Sequence, residues 1–123
     1  GASKARGNRA FGGEAPTDAF AALPPRQTVK LYVDDVRTPP AGWRLARTVA
    51  EAQALLERET VEEVSLDYYI GDGEGGTFLP VAETIAALPE DRRPRRVRLH
   101  SASDAGAARM ARVLSGRVPE IIR

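Results

Sequence analysis

Cysteine is absent from this chain of 123 residues, which excludes a disulfide framework and any thiolate metal site. Histidine occurs once, as His100, and of 18 basic residues only Lys4 and Lys30 are lysines. No apolar run approaches the roughly 20 residues that span a bilayer, and no signal-peptide pattern opens the chain. The expectation is a cytoplasmic protein with no membrane partner. A net charge of +1 lacks the basic excess of a general nucleic-acid binder.

What the chain does have is an ordinary globular balance, 42% hydrophobic and 28% charged, enough for one domain with a modest core. Residues 1–28 read as an N-terminal arm or linker, its first 16 residues holding Gly, Ala, Asn and scattered charge without apolar periodicity. Within it, Thr17 can cap a short helix over Asp18–Leu23, closed by Pro24-Pro25. Such an arm can dock on the body through Phe11, Phe20 and Leu23, or engage a protein partner.

Residues 29–123 alternate short β-branched runs with helical periodicity, the pattern of a parallel sheet covered by helices. Strands are expected at Val29–Val33, at Leu45–Arg47 on an edge, at Val61–Leu66 and at Arg95–Leu99. The sheet has four strands, or five if Val118–Ile122 adds a terminal one. Thr48-Val49-Ala50-Glu51 is a capping box ahead of a helix with Val49, Ala52, Leu55 and Leu56 on one face. Thr77 is expected to cap a second helix, with Pro80 in its first turn and Val81, Ile85 and Leu88 buried. A third carries Ala107, Met110, Ala111 and Leu114 and ends at Gly116.

The chemistry gathers where these strands end. Val33 runs into Asp34-Asp35, Leu66 into Asp67, and Leu99 into His100-Ser101. In a parallel sheet all these ends lie along one edge, where α/β proteins bind ligands. Carboxylates crowded there repel one another, which favours a hard cation or a raised pKa. Asp34, Asp35 and Asp67 are therefore the expected ligands of Mg²⁺ or Mn²⁺. Arg37 can grip a phosphate as a bidentate fork, or pair with Asp34 or Asp67. Ser101 and Ser103, near the start of the last helix, can donate hydroxyls to the same phosphate, or act as N-caps. His100 can act as a general acid or base, or pack as a hydrogen-bonded residue.

Two other features are set aside. Gly71-Asp72-Gly73-Glu74-Gly75-Gly76 matches a dinucleotide glycine pattern, but it does not follow the first strand, and its acids would repel a pyrophosphate. It reads as a lid or a metal-adjacent loop. The run Arg92, Arg93, Arg95, Arg96 and Arg98 reads as a solvated approach to an edge strand; Arg96 and Arg98, facing one way, could also attract RNA phosphates.

The acidic pair, the second aspartate and the Ser after the fourth strand resemble a response-regulator receiver, a small flavodoxin-like α/β fold. The chain is more similar still to the cyclic-phosphate processing receiver domain. The similarity rests on Leu31-Tyr32-Val33-Asp34-Asp35-Val36-Arg37, Pro39-Pro40-Ala41-Gly42-Trp43, Ala46-Arg47-Thr48, Ser65-Leu66-Asp67 and His100-Ser101-Ala102. It implies a metal-dependent phosphoesterase in which Asp67 and His100 act in catalysis on cyclic phosphates of nucleotides or RNA ends. Tyr68-Tyr69 stand where the family usually has His and Asp, and Ser103-Asp104 where Asn-Pro is usual. Those departures remove a metal ligand and a proton-transfer group, with Asp72 or Glu74 as substitutes on offer. They also admit a second function, a receiver-like interaction module without chemistry.

Overall fold

The computed structural model describes residues 27–123. The arm helix and the docking of Phe11, Phe20 and Leu23 lie outside the described residues. Five parallel strands form one sheet: β1 (Val29–Val33), β2 (Arg44–Ala46), β3 (Val61–Leu66), β4 (Arg96–Leu99) and β5 (Glu120–Ile122). Their order is β2-β1-β3-β4-β5, so β2 lies at an edge as expected and the terminal strand is present. β5 shields β4, which is therefore interior and not the expected edge strand.

Three helices complete the fold: α1 (Val49–Arg58), α2 (Leu79–Ala87) and α3 (Asp104–Leu114). The ten residues 34–43 include Pro39-Pro40 and Gly42 (φ 86°) and reach β2 without a helix. The helical crossovers β2-α1-β3, β3-α2-β4 and β4-α3-β5 all step in one direction across the sheet. With right-handed connections they share one face. There Leu31, Val33, Val64, Leu66, Val97 and Leu99 meet Leu56, Val81, Ile85, Met110 and Leu114 in the core. Among the described residues no helix lies over the opposite face, where the paired row Lys30, Glu63, Arg96, Glu120 alternates in charge across four strands.

Helix ends differ in detail from the sequence expectation. Thr48 caps α1 by accepting from the Glu51 N–H, but the Glu51 carboxylate reaches past Thr48 to the N–H of Arg47, at 2.7 Å. Helix α2 starts after Phe78, one residue beyond the expected cap; the Thr77 hydroxyl still accepts from Leu79 N at 3.3 Å. Ser115 ends α3 and Gly116 follows at φ 75°, the left-handed position that glycine adopts without strain. Among the described residues no helix is long and apolar enough to cross a membrane.

Most of the arginine run serves the frame. The Arg92 guanidinium donates to the carbonyls of Leu56, Glu57 and Glu59, closing the C-terminus of α1. Arg93 donates to Leu88 O just beyond α2. Arg96 lies 2.9 Å from Glu120 and 3.7 Å from Glu63, so its charge is neutralised within the sheet.

Candidate functional site

Side chains alternate between the faces of a strand, so a residue two before a strand-end acid shares its face. Tyr32 thus accompanies Asp34, Ser65 accompanies Asp67, and Arg98 accompanies His100. The ladder continues past the strands: Asp34 N donates to Ala46 O, Asp67 N to Val33 O and His100 N to Leu66 O. Backbone pairing therefore fixes the three functional positions relative to one another.

One ligand atom each from Asp34, Asp67 and His100 lies within 4.8 Å of the other two. Asp34 is the buried centre, fully shielded from solvent. Its Oδ1 accepts from the N–H groups of Val36 and Arg37, both at 2.9 Å, and its Oδ2 lies 2.9 Å from His100 Nε2. Burial pushes the Asp34 carboxyl up, yet the two N–H donors and His100 together outweigh it and hold the group below the ordinary range. Asp67 behaves oppositely. Burial raises it, the single N–H of Tyr68 opposes only in part, and the Asp34 charge raises it further.

His100 has both nitrogens engaged, Nε2 with Asp34 and Nδ1 with the Ser65 hydroxyl at 2.8 Å. Tyr32 stacks on its ring, 4.7 Å between centroids and 4° from parallel, and Trp43 meets Tyr32 edge-on. Trp43 is thus a wall of this aromatic layer, with Lys30 Nζ 5.8 Å from its ring centroid. Burial, then the Asp34 charge, raises the Tyr32 hydroxyl, keeping it protonated. Ser65, Tyr32 and Arg47, which donates to Arg37 O and Asp34 O, lie within the quoted motifs, but the sequence reading gave them no role at the site. The period-two rule applied backwards from Asp34 and Asp67 finds the first two.

The remaining expected residues are placed unequally. Asp35 turns from the cluster and its Oδ2 accepts from Gly71 N at 2.6 Å, tying the glycine-rich loop to the end of β1. Arg37 takes its structural option, donating to His100 O at 3.1 Å and lying 3.7 Å from Asp34, with 49% of its side chain still exposed. Ser103 caps α3 through Gly106 N, and Ser101 Oγ accepts from Ser103 N. Each hydroxyl keeps its own proton to donate. Tyr68 is buried with its ring over Gly106, whereas Tyr69 remains largely exposed.

Asp67 keeps one oxygen without a partner among the described residues, whereas Asp35 lies outside the cluster whose ligand atoms converge; hard divalent cations need few carboxylates when water and phosphate complete the shell. Asp34 fits less directly, because a cation at Oδ2 competes with His100 for that atom.

The family model described as the cyclic-phosphate processing receiver domain matches residues 29–116. No match was found among curated proteins or among solved structures.

Proposed function

The chain belongs to the cyclic-phosphate processing receiver domain family, and from that premise we propose that the rim around Asp67 binds a divalent cation and a cyclic phosphate of a nucleotide or RNA end, and opens the ring. The convergence of Asp34, Asp67 and His100 within 4.8 Å, at the strand edge where ligands bind in this architecture, carries the reading. Mg²⁺ or Mn²⁺, held by Asp67 with waters and by Asp34 once His100 releases its Oδ2, would neutralise the acids and offer positive charge to the phosphate.

The chain's own groups divide the remaining work. Arg37, half-exposed, orients the phosphate oxygens, and Ser101 and Ser103 donate their hydroxyl protons to them. Asp67 takes a proton from the attacking water as the water oxygen bonds to phosphorus. One ring P–O bond breaks, and the departing sugar oxygen receives a proton from His100 once Nε2 turns from Asp34. Product release returns both groups to their starting protonation through solvent.

Incubation with nucleoside 2′,3′-cyclic monophosphates and Mg²⁺ or Mn²⁺ tests this. A phosphomonoester product, lost with Asp67→Asn, is expected; no turnover and no binding would overturn it. The saturated Asp34 carboxylate and the buried Tyr68 favour a second reading, a receiver-like interaction module without chemistry. That reading predicts an unchanged melting temperature in millimolar Mg²⁺.

A further inference from the structure

Two large hydrophobic residues are notably exposed among those described, Tyr69 at 56% and Val36 at 73%, and both flank the candidate site. Val36 follows the acidic pair at the end of β1, and Tyr69 stands two residues after Asp67 at the end of β3. Neither position is required by the core. Tyr68, its neighbour, already fills the space beneath, with its hydroxyl accepting from Arg109 at 3.3 Å.

The Tyr69 ring is exposed yet held. It packs edge-on against Tyr68, 4.8 Å between centroids and 79° between planes. Its backbone bridges to Thr77, and the neighbouring Ile70 N donates to Gly76 O. The Asp35–Gly71 hydrogen bond pins the same loop to the end of β1. A ring whose freedom is already restricted loses little on receiving a ligand. Tyr69 follows Asp67 by two residues, about 7 Å between Cα atoms along an extended backbone.

We propose, building on the phosphate-binding reading above, that Tyr69 is the stacking platform for the base of a nucleoside cyclic phosphate. The substrate class is thereby a nucleotide rather than a cyclic phosphate lacking a base. Stacking on an aromatic face tolerates any base, so this platform confers nucleotide preference without base identity. Tyr69 touches the base and not the reacting phosphate, so it sets affinity rather than the chemical step.

Calorimetric titration with Mg²⁺ present separates the possibilities, using adenosine 2′,3′-cyclic monophosphate and glycerol 1,2-cyclic phosphate as probes. The native chain is expected to bind the nucleotide about tenfold more tightly than the base-free ring, within the range that stacking supplies. Tyr69→Ala should abolish that preference while leaving the affinity for glycerol cyclic phosphate unchanged, and Tyr69→Phe should retain it. Equal affinities in the native chain, or a preference that survives Tyr69→Ala, overturns the assignment and returns the exposed pair to a protein-binding surface. Failure of both probes to bind instead overturns the phosphate-site reading itself.

Discussion

The Nε2 atom of His100 lies 2.9 Å from Oδ2 of Asp34, the one carboxylate in the cluster fully sealed from water. That contact divides the three strand-end groups into a hydrogen-bonded pair, Asp34 with His100, and an acid left outside it, Asp67. The division has opposite consequences for the two aspartates.

Asp34 sits below its ordinary carboxyl value of 3.8, so its contribution to stability is present above that pH and disappears as pH falls through the lower folded-state value. Asp34→Ala leaves two backbone N–H groups and His100 without their acceptor. A loss of about 3 kcal/mol at neutral pH is expected, measured by urea denaturation.

Asp67 lies above the ordinary 3.8, so the folded state is favoured at low pH and loses stability as pH rises through the raised value. Asp67→Asn carries no such loss. Without metal at pH 7 it should melt a few degrees higher than the native chain, and the difference should vanish towards pH 4. Equal melting temperatures at pH 7 would contradict the proposed electrostatic strain.

A cation using Asp34 must compete with the imidazole for Oδ2. His100→Ala is therefore expected to enlarge the melting shift produced by millimolar Mg²⁺, although the variant starts from lower stability. Identical shifts in both proteins would mean that the ion rests on Asp67 without Asp34.

Tyr68 and Gly106 form a size-matched contact. A Cβ placed on Gly106 would approach Tyr68 Cδ2 to 2.3 Å, a distance no relaxed contact shows. Gly106→Ala should cost about 1–3 kcal/mol by overpacking, visible as a lower melting temperature. Adding Tyr68→Ala should make the alanine at 106 harmless, a coupling that a double-mutant cycle measures.

Strand positions were legible because β-branched residues cluster at Val29–Val33 and Val61–Leu66, with acids terminating each run. The capping threonine before α1 was equally plain. Partners distant in the chain were not: nothing in Arg92 announces carbonyls more than thirty residues earlier, and nothing in Ser65 announces the imidazole at position 100. Asp34 and Asp35 looked alike, two ligands of one cation. Adjacent strand residues point to opposite sides, however, and the two acids consequently take different partners. Tyr68 and Tyr69 looked equivalent for want of a signal in sequence separating the ring that fills the interior from the one that does not.

The row Lys30, Glu63, Arg96 and Glu120 has a consequence for how the chain finds its architecture. Each neighbouring pair in it is opposite in sign, so a sheet assembled with β4 and β3 exchanged would set Lys30 beside Arg96 and Glu63 beside Glu120. Correct ordering is thus rewarded, and that misassembly penalised, by four side chains that take no part in the apolar interior.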